Sequence, residues 1–306
     1  MRLEGIHHIT AITGDAPGNV MFYAGTLGLR LVKKTVNQDD PTIYHLFYAD
    51  EIGSPGADLT FFEYPGVAPG RPGDGMVHRI VWRVPSERSL AFWEDRLISL
   101  GVRTEKVGSS LRFKDPEGLG LELRVAPSDD PLRAHHPEIP EDSAITGFDG
   151  VRAYSSDPAG SASLLDETLG FRRISDREWE SRGRDRGSFY AFDEPPPQRG
   201  IQSAGTVHHV AWASPMEEHE AWREKVAAAG MRVTPVIDRF YFKSIYFREP
   251  SGVLFEIATI GPGFTADEPA ETLGEALSLP PDFEMLRSRL QAELTPLPNP
   301  RRSVSS

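Results

Sequence analysis

Polar and apolar side chains alternate in several short stretches of this chain, and each stretch leads into a segment with helical spacing. Residues 5–13 (GIHHITAIT) are one example. Another, 78–82 (HRIVW), returns as 208–212 (HHVAW), and both copies are followed by a proline and then by a helical segment with one tryptophan, Trp93 or Trp222. Period-two alternation is typical of strands and the longer period of helices. The pattern therefore predicts a unit of strand and helix that is used more than once.

Glycine-containing segments supply further repeats. DPEG at 115–118 is matched by EPSG at 249–252, and both predict a hairpin turn, because proline fixes φ and glycine supplies a positive φ. TLGLRLV at 26–32 matches TLGFRRI at 168–174, where the Leu-Gly step predicts the end of a helix. This last pair is offset by 142 residues. The chain is therefore expected to be a tandem duplication of two halves.

The repeats divide the chain into four modules of βαβββ type, two in each half, and predict an α+β fold. The modules span 5–64, 75–126, 146–193 and 203–260. We expect an N-terminal domain at 1–126, a linker at 127–145, a C-terminal domain at 146–260 and a tail at 261–306 with one short helix around Phe283 to Leu294. The linker is polar and rich in proline, as is typical of exposed connections between domains.

The overall charge excludes some classes of partner. The chain has 45 acidic and 33 basic residues, a formal net charge of -12, so we expect no nucleic-acid partner. No apolar run approaches the roughly 18 residues of a membrane span, and no signal-peptide pattern opens the chain. We therefore expect no membrane partner and a cytoplasmic location. Cysteine is absent, so a bound metal must use His, Asp or Glu.

Two histidine pairs occur at matching places in the first and fourth modules, and their counterparts in the other modules differ. Comparison of the halves aligns His8 with Gly150, and comparison of the tryptophan-ending strands aligns His209 with Arg79. Residues that serve only to pack a repeated core should have counterparts of similar size in every copy. We infer that the second histidine of each pair has a function beyond packing. Glu256, after the last hairpin turn, belongs to the same module as His209.

Strand alternation separates these residues from the apolar core. Successive side chains point to opposite faces of a strand, so His209 and Glu256 lie on the face opposite Trp212 and Phe255, which suit packing under helices. A buried carboxylate is costly unless a cation pairs with it. Two neutral imidazoles and one carboxylate suit a divalent metal and leave coordination positions open, as non-haem Fe(II) oxygenases require. The sequence thus predicts a metal site of His8, His209 and Glu256.

The remaining histidines fall into two groups: those expected to be structural, and those for which two roles stay open. A single histidine in a strand is more often a core residue with a hydrogen-bond partner than a ligand. We expect this for His45, His78, His135, His136 and His219. For His7 and His208, which precede the two candidate ligands, two roles stay open: hydrogen bonding to the ligands from behind, or packing.

Longer segments around these residues resemble a known family. The segments are 5–13, 41–65 (PTIYHLFYADEIGSPGADLTFFEYP), 207–213 (VHHVAWA) and 238–259 (DRFYFKSIYFREPSGVLFEIAT). They are similar to the vicinal oxygen chelate superfamily, which includes glyoxalases, bleomycin resistance proteins and extradiol dioxygenases, and within it to hydroquinone-type ring-cleaving dioxygenases. The resemblance implies that each half curls its mixed sheets around a cavity, with helices outside and metal in one of the two cavities.

The resemblance also implies a site and a reaction. The three predicted ligands would bind Fe(II), with Mn(II) as the alternative, and the substrates would be an aromatic small molecule and O2. The matching polar positions around the metal are His7, Thr10, His208, Arg239 and Tyr246. Arg239 would stabilise negative charge, and His208 or Tyr246 would act as acid or base, giving a ring-opened acid by extradiol-type cleavage. Sheet edges in such folds often pair between subunits, which predicts a homo-oligomer.

Two other functions of the same fold stay open. A glyoxalase-like lyase or isomerase would use a related metal site without consuming O2, usually with a fourth protein ligand. Glu63, near the end of the first module, is the residue that could supply it. A non-catalytic protein that sequesters an aromatic molecule would have no use for a complete metal-ligand set. The complete set of His8, His209 and Glu256 favours the dioxygenase interpretation.

Overall fold

The predicted modules are present in the computed structural model of the chain, which describes residues 1–184 and 186–299. Each module has one strand, a helical segment and three more strands. The strands of the first half are β1 Ile6–Thr13, β2 Arg30–Asn37, β3 Asp40–Ala49, β4 Asp58–Glu63, β5 Val77–Val84, β6 Glu105–Val107, β7 Ser110–Lys114 and β8 Gly120–Val125. Those of the second half are β9 Phe148–Tyr154, β10 Arg172–Ser175, β11 Glu178–Arg182, β12 Gly187–Asp193, β13 Thr206–Ser214, β14 Ile237–Asp238, β15 Lys243–Arg248 and β16 Leu254–Thr259.

The strands form two curled, mixed sheets of eight strands, and each sheet takes one module from each half of the chain. The first sheet has the order β14-β15-β16-β13-β1-β4-β3-β2, and the second sheet has the order β10-β11-β12-β9-β5-β8-β7-β6. The joints are the antiparallel pairs β1 with β13 and β5 with β9. The α+β fold with tandem halves is confirmed. The expectation that each half curls around its own cavity is wrong, because the free edge of each module's first strand pairs across the halves. The predicted domain boundaries stay a prediction.

The first helical segment begins and ends at clear sequence signals. The α-helices are α1 Ala16–Val20, α2 Glu87–Ser99, α3 His219–Ala228 and α4 Arg287–Glu293. Asp15 caps α1 by accepting a hydrogen bond from the backbone nitrogen of Gly18, and Gly28, with a φ of 71°, follows the π-helical continuation of α1. The described residues contain no helix with the length and apolar character that a bilayer crossing needs.

The two faces of each sheet have different contents. The faces under the helices contribute to one large hydrophobic cluster, in which five tryptophans are fully buried. These are Trp82, Trp93, Trp179, Trp212 and Trp222. Burial of a large apolar side chain contributes roughly 1.5–3 kcal/mol, so this cluster is the main source of stability. The inner face of the first sheet has a smaller cluster, which includes Phe47, Ala211 and Ala258, and leaves room for polar side chains.

The tail closes one end of the curled first sheet. Phe264 packs against Phe47, with ring centroids 5.0 Å apart. Lys33 on β2 is fully buried, and its Nζ lies 2.7 Å from Asp267 Oδ1, within hydrogen-bond reach of Glu268, and 3.1 Å from the carbonyl oxygen of Phe264. Because a buried ammonium needs partners, these contacts tie the tail to the edge of the sheet.

The tail helix lies close to its predicted place. A 3-10 segment, Pro281–Leu286, leads into α4, where the sequence predicts one helix around Phe283 to Leu294. The end of the predicted tail, 300–306, lies outside the described residues.

Replacement of Lys33 by Met should loosen the tail. The change removes the only charge of the side chain while keeping most of its volume, and it leaves two partly buried carboxylates without their cation. We expect the free energy of unfolding to fall by about 3 kcal/mol in urea titrations. Lys106→Met on β6, an exposed position, is the control and should change it little. A Lys33→Met loss as small as that of the control would contradict this account of the tail.

Candidate metal centre

The three residues predicted as metal ligands lie on three adjacent strands at the middle of the first sheet. His8 is on β1, His209 on β13 and Glu256 on β16. The register places His8 opposite Ala211, and Ala211 in turn beside Glu256. All three side chains point to the inner face and are buried. The backbone ladder of the sheet therefore fixes their spacing.

The donor atoms of the three residues converge. Nε2 of His8 lies 3.3 Å from Nε2 of His209, and Oε2 of Glu256 lies 3.3 Å and 3.0 Å from these two nitrogens. This oxygen is buried and has no hydrogen bond of acceptable geometry within the described residues, while Oε1 accepts one from the Ser244 hydroxyl. Burial alone would raise the pKa of Glu256, but His8 and His209 hold it well below its usual range. The cluster thus presents an ionised carboxylate oxygen and two imidazole nitrogens to one point.

Each ligand histidine is backed by the histidine before it. Nδ1 of His8 lies 2.9 Å from Nδ1 of His7, and Nδ1 of His209 lies 2.8 Å from Nδ1 of His208. If Nε2 of a ligand keeps its lone pair for a metal, its Nδ1 carries the proton and donates it backwards. His7 then accepts at Nδ1 and donates from Nε2 to the Thr259 carbonyl oxygen, 3.2 Å away. Burial lowers the pKa of both His7 and His208 to about 3, so both are neutral acceptors.

These contacts favour the first of the two roles left open for the preceding histidines, hydrogen bonding to the ligands from behind, and that role stays a prediction. His208 faces a different cavity, beside Arg248, and does not line the space in front of the ligands. An acid or base role for His208 in the cup stays a prediction.

A cup lies in front of the ligands, and a chain of hydrogen bonds runs from one ligand to His45, which lines the cup. Thr10 Oγ1 lies 2.9 Å from His209 Nε2 and 2.8 Å from Thr60 Oγ1, which lies 2.9 Å from His45 Nε2. The His45 ring packs against Phe62, with centroids 4.4 Å apart. His45 is no ligand, as expected, but it lines the cup together with the ligands, which sequence reasoning missed.

The opposite wall holds the two other predicted polar residues. Tyr246 lies edge-on to His209, with ring centroids 5.8 Å apart, and its hydroxyl oxygen is 3.4 Å from Arg239 Nε. The guanidinium of Arg239 makes a two-pronged ion pair with Asp39, at 3.1 Å and 3.0 Å. Gln38 donates a hydrogen bond to the Arg239 carbonyl oxygen. The turn between β2 and β3 and the turn after β14 thus meet over the cup, which has a free volume of about 40 Å³.

Glu63 does not contribute to the cup. Its neighbour Phe62 lines the cup, so Glu63 points to the other face of β4. There Oε1 accepts a hydrogen bond from the backbone nitrogen of Ala16, at the start of α1. Glu63 is therefore a helix-capping residue, and a glyoxalase-like fourth ligand from this position is excluded.

The second sheet repeats the register of the first without its two histidine ligands. Gly150 lies opposite Val81, as His8 lies opposite Ala211. A Cβ added at Gly150 would come 2.4 Å from the Phe189 ring. The second sheet therefore fills with an aromatic ring the space that the imidazole occupies in the first.

The donor set fits a divalent cation. Two imidazole nitrogens and one carboxylate, with open coordination positions, suit Fe(II), Mn(II) or Zn(II). The orphaned Oε2 of Glu256 supports this fit, because a buried carboxylate oxygen without a hydrogen bond needs a cation. Among the described residues, this is the one group of three histidine or carboxylate side chains with converging donor atoms.

Comparison with known families agrees with this geometry. The model of the Glyoxalase/Bleomycin resistance protein/Dioxygenase superfamily matches residues 5–123 and 147–257, one segment in each half of the chain. The chain belongs to this superfamily. The expected fold and family are thereby confirmed.

Members of the superfamily that match this chain over nearly its whole length have dioxygenase names. A Bacillus subtilis protein, provisionally named as a ring-cleaving dioxygenase, is 43% identical over 301 residues, covering 95% of this chain and 96% of the relative. The chlorohydroquinone/hydroquinone 1,2-dioxygenase of Sphingobium indicum is 32% identical and covers 94% and 95%. A crystal structure of a provisionally named dioxygenase from Bacillus subtilis superposes with a TM-score of 0.92, at 42% identity, covering 97% and 98%.

Exchange of Glu256 for Gln should weaken metal binding selectively. The change removes the one negative charge of the donor set, so we expect affinity for Fe(II) or Zn(II), measured by anaerobic titration, to fall more than about tenfold. Glu122→Gln is the matched control, because Glu122 pairs with Val81 as Glu256 pairs with Ala211. Equal metal affinity in the two variants would contradict the ligand assignment.

Proposed function

We propose that the protein is an Fe(II)-dependent, ring-cleaving dioxygenase that opens a hydroquinone-type aromatic ring by extradiol-type cleavage to give a ring-opened acid. The observation that carries the proposal is the convergence of His8, His209 and Glu256 on one point that faces a cup lined by ionisable and aromatic side chains. A set of three ligands leaves positions for both a substrate oxygen and O2. The whole-length relatives, one provisionally named as a ring-cleaving dioxygenase and one named as a chlorohydroquinone/hydroquinone 1,2-dioxygenase, support the same reaction class.

The metal, when bound, supplies a Lewis acid that favours the ionised form of a substrate hydroxyl. Arg239 and Tyr246 are the protein side chains that act on the same substrate oxygen. The guanidinium carries a permanent positive charge, so it stabilises negative charge that develops on the substrate. Burial raises the pKa of Tyr246, so its hydroxyl stays protonated at neutral pH and can donate a hydrogen bond or a proton.

Asp39 positions this pair of residues. Its carboxylate holds both Nη atoms of Arg239, which leaves Nε directed at the Tyr246 hydroxyl. The free volume of the cup holds only a few water molecules, which is too little for an aromatic substrate. We therefore infer that the ion pair between Asp39 and Arg239 opens to admit the substrate.

The second hydroxyl of a hydroquinone needs its own partner. In a para-substituted ring it points away from the first hydroxyl, towards the far wall of the cup. His45 lies on that wall, and its Nε2 is engaged by Thr60, which leaves Nδ1 for a ligand. Burial holds the pKa of His45 well below its usual range, so the ring is a neutral donor or acceptor. We therefore assign His45 the recognition of the para hydroxyl.

Oxygen uptake tests the proposed function. After anaerobic reconstitution with Fe(II), hydroquinones should drive O2 consumption with a stoichiometry of about one, and catechols should do so more weakly because the cup recognises a para hydroxyl. Parallel loading with Mn(II) decides which ion supports the reaction, since the donor set accepts both. The Glu256→Gln variant and metal-free protein are the controls.

The outcomes also separate the rival functions of this fold. Conversion of an aromatic compound without O2 uptake would indicate a lyase or isomerase, and tight binding without conversion would indicate a sequestering protein. Either result would overturn the dioxygenase proposal.

Substitution of His45 by Phe should remove discrimination at the para position. We expect the wild-type protein, loaded with Fe(II) and free of O2, to bind hydroquinone about tenfold more tightly than 4-methoxyphenol, which cannot donate from that position. His45→Phe should bind the two equally, while His135→Phe at an exposed position should keep the preference. A preference that survives in a folded His45→Phe variant would disprove the assignment.

A further inference from the structure

The inner face of the second sheet has guanidinium groups where the first sheet has its metal-binding wall. The register of the two sheets defines these equivalences, since Arg79 pairs with Arg152 as His209 pairs with Thr10, and Arg112 pairs with Glu122 as Tyr246 pairs with Glu256. Three cationic side chains thus replace a neutral ligand, a hydroxyl and a phenol. One carboxylate is retained at the position of the metal-binding glutamate.

Two of these guanidiniums share a single partner. Arg112 Nε lies 2.9 Å and Arg79 Nη1 lies 3.4 Å from the same oxygen of Glu122. One carboxylate compensates one positive charge, so this group of three has a net positive charge. Burial and the neighbouring Arg112 lower the pKa of Arg79, and the carboxylates Glu122 and Asp193 offset this only in part.

The third guanidinium, that of Arg152, adds no further excess of positive charge. Arg152 makes a two-pronged ion pair with Asp193, at 2.7 Å and 2.5 Å, and His78 lies 2.8 Å from the same carboxylate. The His78 ring stacks on Tyr154 at 3.9 Å. This group therefore forms an ion-paired wall beside the positive pair.

A cleft of about 730 Å³ opens directly onto the positive pair. Besides Arg79 and Arg112, its lining includes His78, Tyr154 and, at the exposed rim, Arg103 and Lys114. The acidic residues of the lining are Glu105 and Asp115. On a chain with a net charge of -12, a cleft with this many cations is a local exception. Its volume accommodates a small organic molecule.

We propose that this cleft binds a small organic anion with one or two carboxylate groups. Guanidinium groups match carboxylate geometry with paired, charge-assisted hydrogen bonds. A ligand carboxylate placed between Arg79 and Arg112 would compensate the charge that Glu122 leaves over. The site is independent of the proposed dioxygenase reaction, because none of its residues lines the metal-side cup.

Calorimetric titration with maleate, a planar dicarboxylate, tests the proposal on the full-length protein at low ionic strength. We expect saturable, one-site binding that weakens with added salt, as charge-dependent binding does. Arg79→Gln and Arg112→Gln should each weaken it about tenfold, the amount expected from one lost charge-assisted hydrogen bond. Arg124→Gln is the matched control, because Arg124 also pairs with a carboxylate, Asp149, but does not line the cleft.

Additional variants and a second ligand distinguish the possible results. Arg112→Lys retains the charge and should retain more affinity than Arg112→Gln, and Glu256→Gln should bind maleate as the wild type does. If inorganic phosphate binds as tightly as maleate, the site recognises negative charge alone. That result would overturn the proposal that its ligand is a carboxylate. Absence of saturable binding, or an equal loss in Arg124→Gln, would overturn the site itself. Thermal unfolding of each variant verifies that it is folded.

Discussion

The antiparallel pairing of β1 with β13 is the contact on which the candidate metal centre depends. It joins the beginning of the chain to the last quarter, and it brings His8 and His209 onto one surface. The parallel pairing of β13 with β16 then adds Glu256. Donor atoms held on adjacent strands are fixed by backbone hydrogen bonds, which define positions more closely than loops do. The side chains behind them, His7 and His208, then only have to set the tautomers.

The duplication uses one scaffold for two opposite electrostatic environments. The second sheet has the same joint and the same register, yet Gly150 and Phe189 remove one ligand position, and Arg79 reverses the polarity of another. Buried polar groups are costly unless they are paired, so the polar groups on each inner face need their own partners. The first leaves a carboxylate oxygen to a cation, and the second consists largely of ion pairs.

Much of this architecture could be predicted from the sequence, because differences between repeats carry information that a single motif does not. The contrast of His8 with Gly150 singled out His8 as a candidate ligand, and the structure brings it together with His209 and Glu256. The partnership of modules could not be predicted, since the repeat pattern is compatible with pairing within or across the halves. His45 was missed for a related reason: its significance depends on Thr60 and Phe62 of the neighbouring strand. Alternation along β3 would have placed it on the same face as Phe47, but only a known register tells which face is the inner one.

The crossing of the halves sets an order for biosynthesis. All strands of the second sheet lie between Val77 and Asp193, so that sheet can assemble while the chain is still being made. The first sheet needs β1 from the beginning and β16 from near the end, and its closure by Lys33 also needs Asp267 of the tail. The strands of the first module can pair with one another early, but the second edge of β1 has to wait through most of translation for β13.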